Sequence, residues 1–278
     1  MFDVGATMRE VTLKLVSMLP KSIKQSLLGS RSNPSHLANT VHALLNRLPG
    51  EEMTCLPCKG VLKGFQMKID WSRHRSFAYG DWEPDVVNAI TDVVKTGAFA
   101  LDIGAHIGFY TLILAKTVGI GGRVIAFEPL KLNYSVLCDN IRLNDCKHVQ
   151  AVNKALMDRP CSLEADIRIS EALPGSVAFR ATDKPESPVA SAVALDDYLA
   201  ESKLPLDFMK IDVEGAESMV LKGAAKTIEF HHPTLLMEIH HFDRSSPDAS
   251  PVMSQLRGWG YAVRWLNRGP DTSHLLAT

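Results

Sequence analysis

Acidic side chains recur at the ends of four apolar segments of the chain. They are Asp102 in ALDIG, Glu128 in VIAFEP, Asp212 in MKIDVEG and Glu238 in LLMEIHH. Each acid ends or follows a short apolar run, a pattern typical of a buried strand. The carboxyl ends of parallel strands meet at one edge of a sheet, where α/β proteins bind ligands. Four acids at that edge predict a polar cleft.

A glycine turn follows the first of these strands directly. The stretch ALDIGAHIGFYT places Gly104, His106 and Gly108 between the strand and a helix. Gly104 allows a tight turn and a close backbone approach, and Gly108 allows close packing of the helix. Such a turn can serve NAD, FAD or S-adenosylmethionine, so the glycines alone do not choose the ligand.

The charge of Asp102 separates these ligands. A dinucleotide places its pyrophosphate at the N-terminus of the helix. A partly buried carboxylate beside it would repel that charge by an energy on the order of several kcal/mol. S-adenosylmethionine instead carries an ammonium and a sulfonium group, which a carboxylate attracts. Asp102, with glycines at positions 104 and 108 rather than a full GxGxxG, therefore favours the methyl donor.

Adenosine contacts are predicted at the ends of the next two strands. Glu128 can accept hydrogen bonds from both ribose hydroxyls, in NAD as well as in S-adenosylmethionine. Asn153 and Asp158 follow the third strand in VNKALMD and are placed to reach the adenine edge. Asp158 is interpreted equally well as a turn residue.

Charged side chains also lie within the later strands. Lys210 and Asp212 are two residues apart and share a face of their strand, as do Glu238 and His240. Buried charges are costly unless they are paired or meet a ligand, so we expect them at the cleft. His240 is the expected general base, because its ordinary pKa is about 6.5. His241, Glu238 and Asp212 are the alternatives, and a structural role for His240 stays open.

The same residue types allow a divalent metal. Asp212, Glu238 and His240 offer the oxygen and nitrogen ligands that such ions take. Their spacing fixes no geometry, so the favoured expectation is a site without a metal. Activity that survives EDTA unchanged would support that expectation.

Alternating strand and helix patterns position these residues. From Phe99 onward, short apolar strands alternate with helices, which predicts a mostly parallel sheet covered by helices on both faces. We expect a Rossmann-like α/β domain over residues 61–278, preceded by a helical or loose accessory segment over 1–60. Residues 159–194 interrupt the rhythm and are expected to form an insertion of antiparallel strands that shapes the acceptor pocket.

Composition limits the partners of the chain. With 278 residues and a formal net charge of −1, it has no general basic field that would attract nucleic acid or an anionic membrane. It contains no apolar run of the roughly 18 residues that a membrane span needs, and charges near the start interrupt any signal-peptide core. Five cysteines in a chain of this size favour reduced thiols and a cytoplasmic location.

Six motifs together resemble the FkbM family of class I methyltransferases. They are YGDWEP, LDIGAHIGFYT, VIAFEP, LCDNIRLN, LDDYL and MKIDVEGAE, in this order over roughly residues 60 to 240. The resemblance implies a seven-stranded sheet with an antiparallel last strand and S-adenosylmethionine as the methyl donor. It also implies O-methylation, often in sugar or natural-product pathways.

The resemblance also implies roles for particular residues. Asp102, Gly104 and Glu128 would bind the donor, Asp212 would lie at the methyl-transfer cleft, and Glu83 in YGDWEP would approach the methionine end. The chain departs from the family at His106, where the family more often has Asn. Either side chain can form a hydrogen bond in such a turn.

Three alternatives stay open beside a methyltransferase that acts on a hydroxyl group of a small molecule. Nucleic-acid amino-methyltransferases carry a (D/N)PP-aromatic turn after the fourth strand, whereas this chain has DVEG at residues 212–215, without a group to clamp a flipped base. A NAD-dependent oxidoreductase is disfavoured by Asp102. A non-catalytic protein that binds S-adenosylmethionine is disfavoured only by the polar cleft. The sequence indicates no oligomeric state.

Overall fold

The computed structural model describes residues 53–165, 179–182, 190–202, 204–240, 248 and 250–278. Contacts within the chain divide it into two units between Trp82 and Glu83. This division lies later than the boundary expected near residue 60. The organisation of residues 1–60 stays a prediction, because residues 1–52 lie outside the described part.

The first unit contains a hairpin and a helix over residues 53–82. Its elements are β1 (Met53–Pro57), a 3-10 turn (Gly60–Leu62), β2 (Gln66–Asp70) and α1 (Trp71–Tyr79), with β1 and β2 antiparallel. The sequence SFAY at residues 76–79 also predicts a short strand, but these residues form the end of α1. The backbone N–H of Gly80 still donates to the carbonyl of Ser76 at 3.0 Å, so the helical hydrogen bonding runs to the turn at Gly80.

The second unit alternates strands and helices as the sequence predicts. Its strands are β3 (Phe99–Ile103), β4 (Arg123–Phe127), β5 (Val149–Val152), β6 (Ala155–Leu156), β7 (Cys161–Ala165), β8 (Phe179–Thr182), β9 (Ala190–Val193), β10 (Phe208–Ile211), β11 (Thr234–His240), β12 (Val263–Arg268) and β13 (Thr272–Ala277). Its helices are α2 (Pro84–Val93), α3 (Phe109–Val118), α4 (Lys131–Leu143), α5 (Leu195–Tyr198), α6 (Glu217–Gly223), α7 (Ala225–His231) and α8 (Pro251–Gly258). Among the described helices, none is both long and apolar enough to cross a membrane.

Seven of the described strands form one sheet in the order β5-β4-β3-β10-β11-β13-β12. Neighbouring strands are parallel except at β13, which is antiparallel to both β11 and β12. The predicted α/β sheet, mostly parallel with an antiparallel last strand, is therefore confirmed.

The strand order reverses between β3 and β10. From β3 the chain moves outward to β5, and it later returns to place β10 on the other side of β3. In this pair Lys210 lies opposite Asp102, and Ile211 lies opposite Ile103. A reversal of this kind leaves a crevice at the carboxyl ends of the two strands, which is where open α/β sheets bind their ligands.

The two central strands are buried along their whole length. Every residue of β3 and β10 is buried, Asp102 and Lys210 included. Strands covered by helices on both faces are normally apolar throughout. Two charges in such strands therefore need a partner or a function.

A second sheet of four described strands has the order β6-β9-β7-β8. Strand β7 is antiparallel to β8 and β9, as expected for the stretch 159–194, while β6 pairs with β9 in parallel. Residues 166–178 and 183–189 lie outside the described part. The role of this segment in binding an acceptor stays a prediction.

Candidate active site

Both glycines of the turn after β3 are required by close contacts. Gly104 has a φ of 85°, and a Cβ built on it would lie 1.7 Å from the carbonyl oxygen of Asp212. Gly108 has a φ of 97°, and its Cβ would lie 2.7 Å from Cδ1 of Leu137 on α4. The turn is thus pressed against the end of β10 on one side and a helix on the other, as the residue types predicted.

Asp102 is completely buried beside this turn. Its Oδ2 accepts a 2.5 Å hydrogen bond from the hydroxyl of Thr111, while Oδ1 has no hydrogen-bond partner among the described residues. Burial raises the pKa of Asp102, and the nearby charge of Lys210 opposes that rise. A buried carboxylate oxygen without a partner fits a site whose ligand supplies positive charge or a hydrogen-bond donor.

Glu128 lies directly after β4 and is almost completely buried. Its two oxygens accept backbone hydrogen bonds from His106 at 2.8 Å and from Leu130 at 2.9 Å. Burial raises the pKa of Glu128 to about 7, even though these hydrogen bonds lower it. Each carboxylate oxygen can accept a further hydrogen bond, so the geometry suits a ribose diol. His106 thus contributes its backbone N–H, and it holds a φ of 51°.

Asn153 and Asp158 have different surroundings. The side-chain amide of Asn153 donates to the carbonyls of Glu128 and Pro129, both at 2.9 Å, and so braces the loop that carries Glu128. The Cα of Asp158 lies 3.1 Å from a Cβ built on Gly223, at the C-terminal end of α6. Contact of either residue with adenine stays a prediction.

Lys210 and Asp212 form a buried ion pair at the switch point. Nζ of Lys210 lies 2.9 Å from Oδ2 of Asp212 and 4.5 Å from the ring centre of Tyr110. Burial alone would lower the pKa of Lys210, but the charges of Asp212 and Asp102 outweigh it and raise the pKa. Burial also works against ionisation of Asp212, yet Lys210 brings its pKa below the ordinary value. Lys210 is therefore a permanent cation that keeps Asp212 ionised.

His240 is held between two carboxylates of the loop and helix after β10. Its Nδ1 lies 2.7 Å from Oε1 of Glu217, and its Nε2 lies 3.0 Å from Oε2 of Glu214. Burial alone would lower the pKa of His240, but these two hydrogen bonds raise it to about 11. The imidazole is consequently a cation at neutral pH.

The general-base role of His240 stays a prediction, and this arrangement argues against it. A doubly protonated imidazolium has no lone pair for the proton of an acceptor, and both of its nitrogens are engaged. Potential ligand atoms of Asp212, Glu238 and His240 do lie within 4.8 Å of one another. The ring nitrogens of His240 are engaged by Glu214 and Glu217, and a site without a metal stays a prediction. His241 lies outside the described residues.

A second group of side chains gathers around Glu238. The hydroxyl of Tyr110 donates to Oε2 of Glu83, and Nε2 of His274 lies 3.5 Å from both that atom and Oε2 of Glu238. Burial alone would lower the pKa of His274, but the hydrogen bond to Glu238 and the charges of Glu238 and Glu83 raise it. Glu83 thus lies at the same edge as Asp212 and Glu238, and its approach to the methionine end of the donor stays a prediction.

Backbone strain also concentrates at this edge. Glu83, His106 and Glu214 have φ values of 41°, 51° and 53°, a region that residues other than glycine rarely occupy. Such conformations persist where surrounding contacts impose them, and they cluster at functional sites.

Sequence reasoning missed Tyr110, Thr111 and His274 as members of the site. Tyr110 and Thr111 directly follow the glycine turn at the start of α3, which is a usable signal. His274 lies in TSHLLAT, which contains no motif, and only the pairing of β13 with β11 brings it to Glu238.

The sheet order, its one antiparallel strand, and a glycine turn beside acids at the switch point define a class I methyltransferase, a class that uses S-adenosylmethionine as methyl donor. Within that class, the chain belongs to the FkbM methyltransferase family. The profile of the methyltransferase FkbM domain matches residues 102–263.

Two curated relatives are similar over about half of this chain. "Methyltransferase 1" of Beauveria bassiana (strain ARSEF 2860) is 28% identical in an alignment of 147 residues, and the match covers 45% of this chain and 58% of that protein. "Methyltransferase sdnD" of Sordaria araneosa is 28% identical in an alignment of 162 residues, and the match covers 47% of this chain and 61% of that protein. The chain thus spans about three fifths of the length of these relatives.

A solved structure of an FkbM methyltransferase from Methylobacillus flagellatus KT is also similar. It has 20% sequence identity and a TM-score of 0.47, and the match covers 66% of this chain and 44% of that chain.

Proposed function

We propose that this protein transfers a methyl group from S-adenosylmethionine to a hydroxyl oxygen of a small molecule, of the sugar or natural-product class. The observation that carries the proposal is the pair of carboxylates Asp212 and Glu238 at the switch point. Their side chains are 25% and 14% exposed, which leaves them accessible to a ligand in the crevice. Carboxylates accept hydrogen bonds from hydroxyl groups and can take up their proton.

The residues around the glycine turn fit the methyl donor. Asp102 offers a buried oxygen without a partner, Glu128 offers its remaining acceptor capacity to a ribose, and Gly104 keeps the turn free of a side chain. When bound, S-adenosylmethionine supplies a methyl group on a positively charged sulfur, which keeps the electron pair when the methyl group leaves. A site rich in carboxylates suits that positive charge.

The charges of the side chains near the crevice also indicate which kind of acceptor fits there. The described cations near the crevice, Lys210, His240 and His274, all contact carboxylates. None of these three is left over to neutralise a phosphate, so an acceptor without phosphate groups fits this edge best. This supports a small hydroxylated molecule over a nucleic acid. A cytoplasmic location stays a prediction. All five cysteines lie among the described residues and none forms a disulfide, which is compatible with it.

The proposal is tested by transfer of a labelled methyl group from S-adenosylmethionine into a panel of compounds. The panel pairs neutral sugars and hydroxylated metabolites with their amine and phosphate analogues, and it includes RNA. We expect label in a neutral hydroxylated compound, in an ether that resists alkaline hydrolysis. Label found only in amines would contradict O-methylation, and label found only in RNA would contradict a small-molecule acceptor. A protein that binds the donor but labels nothing would be the non-catalytic alternative.

A further inference from the structure

The carboxylates at the crevice differ in how strongly they are engaged. Asp212 is paired with Lys210 at 2.9 Å, and Glu214 and Glu217 contact His240 at 3.0 and 2.7 Å. The cations that face Glu238 among the described residues are farther away. His274 lies at 3.5 Å from its Oε2, and His240 lies at 3.9 Å from its Oε1. Glu238 is therefore the least closely paired carboxylate of these four.

The ring of His274 is held in place through the nitrogen that does not face Glu238. It lies opposite Glu238 in the antiparallel pair of β13 and β11. Its Nδ1 lies 3.1 Å from Oδ1 of Asn267, which also accepts the backbone N–H of His274 at 3.1 Å. The register of β12 and β13 shifts between Trp265 and Asn267. Irregularities of this kind re-aim side chains, and this one brings the Asn267 amide to the ring, so that Nε2 faces Glu238.

The geometry points to Glu238 as the group that takes the proton of the acceptor hydroxyl, with His274 as the residue that positions it. This inference rests on the proposed function. As the acceptor oxygen forms its bond to the methyl carbon, the bond from that carbon to the donor sulfur breaks and its electron pair stays on the sulfur. The O–H bond of the acceptor breaks in the same step, and its proton passes to a carboxylate oxygen of Glu238. The products are a neutral ether, S-adenosylhomocysteine and a neutral Glu238, which returns the proton to water through its exposed part. Asn267 acts through His274 and is a second positioning residue.

The charges around Glu238 set the pH dependence of this step. Burial raises the pKa of Glu238, the negative charge of Asp212 raises it further, and His274 lowers it. The groups that face Glu238 are Lys210 on β10, Asp212 directly after β10, His240 on β11, His274 on β13, Glu83 before α2 and Tyr110 on α3. Because a base must be ionised, turnover falls as the pH drops through the pKa of Glu238 in the folded protein.

The first test uses the free protein, with carboxyl-carbon NMR of glutamates across pH. We expect one signal, absent in Glu238→Gln, that titrates above the ordinary glutamate range. In His274→Gln this signal should titrate at still higher pH, because a cation that stabilises the carboxylate is gone. His232→Gln, on the far end of α7, is the matched control and should leave the signal unchanged. Titration of Glu238 in the ordinary range, or an unchanged midpoint in His274→Gln, would overturn the inference.

The second test is steady-state methyl transfer to the best hydroxylated compound of the panel. We expect Glu238→Gln to lower kcat by roughly 100-fold or more, with the Kd of S-adenosylmethionine unchanged. Glu229→Gln, which keeps an acceptor for the indole of Trp259, is the control. His274→Gln should lower kcat more than it changes KM and should move the acid limb of the pH profile upward. Wild-type transfer to a hydroxyl with an undiminished kcat in Glu238→Gln overturns this inference alone, whereas no transfer to any hydroxyl overturns the proposed function with it.

Discussion

Burial and pairing determine the charge of each titratable side chain at the carboxyl edge. Lys210 and His240 stay cationic because each contacts carboxylates, and Asp212 stays ionised because it contacts Lys210. Glu128 is different, since backbone N–H groups do not offset its burial and its pKa rises to about 7. The donor and acceptor sides of the site should therefore respond differently to pH.

Glu128 should make donor binding dependent on pH near neutrality. If the carboxylate of Glu128 accepts the ribose hydroxyls, S-adenosylmethionine binds only when Glu128 is ionised. At pH values below the raised pKa, Glu128 must therefore lose a proton when the donor binds. We expect the affinity for S-adenosylmethionine to fall about tenfold from pH 8 to pH 6. Glu128→Gln should bind roughly 10- to 100-fold more weakly at pH 8 and lose this dependence. Calorimetry in buffers of different ionisation enthalpy measures both effects.

Asp139→Asn is the control for this experiment, because Asp139 lies on α4 and pairs with Arg142 at 2.8 Å. It should bind the donor as the wild type does. A flat affinity between pH 6 and pH 8 in the wild type would show that Glu128 does not hold the ribose as a carboxylate.

His240 should make stability depend on pH. Its pKa is about 11 in the folded chain and about 6.5 when unfolded. The contribution of His240 to the free energy of unfolding is full at pH values below its unfolded pKa, and it is lost as the pH rises toward 11. We expect the free energy of unfolding to fall by up to about 1.4 kcal/mol per pH unit between pH 7 and pH 9 from this group. Urea unfolding of the wild type and of His240→Gln at both pH values measures the difference.

In His240→Gln, this part of the dependence of the free energy of unfolding on pH should vanish, whereas His232→Gln should keep it. Equal slopes in the wild type and in His240→Gln would mean that the imidazole is not charged in the folded chain.

At the scale of elements, the turn after β3 depends on the end of β10. Gly104 and Asp212 are far apart in sequence, yet a Cβ on residue 104 would overlap the carbonyl oxygen of Asp212. The backbone N–H of Asp212 also donates to the carbonyl of Ile103 at 3.0 Å. The donor turn and the methyl-transfer cleft are thus parts of one backbone arrangement.

Gly104→Ala should therefore destabilise the domain. The clash is with backbone and the φ of 85° is unfavourable for alanine. We expect a loss of about 3 kcal/mol or more, seen as a fall in Tm of roughly 6 °C or more. Gly121→Ala is the matched control, because its Cβ would meet nothing within 4 Å. A variant of Gly104 as stable as this control would contradict the close approach.

The strands and helices of the second unit could be predicted because their signals are local. Buried strands such as Phe99–Ile103 and the helix Lys131–Leu143 show the expected apolar runs and periodicity. The acids at strand ends were found for the same reason. The charge of His240 and the place of His274 could not be predicted, because both depend on partners brought together by strand order. Residues 76–79 show that a short apolar run does not distinguish strand from helix.

At the scale of the whole molecule, the FkbM family match begins at Asp102 and ends at Val263. It therefore includes the donor turn, the acids that follow β4 and β10, and Glu238, but excludes Glu83 and His274. Both excluded residues contact Glu238 or its neighbours at the carboxyl edge of the sheet. We expect the choice of acceptor to depend on these flanking segments more than on the matched domain.

The turn after Asp102 is expected to hold S-adenosylmethionine and not a dinucleotide. Isothermal titration of the wild-type protein with S-adenosylmethionine and with NAD⁺, under identical conditions, distinguishes the two ligands. We expect saturable binding of S-adenosylmethionine, with no detectable binding of NAD⁺ at the same concentrations. Tight binding of NAD⁺, with S-adenosylmethionine giving only heats of dilution, would contradict it.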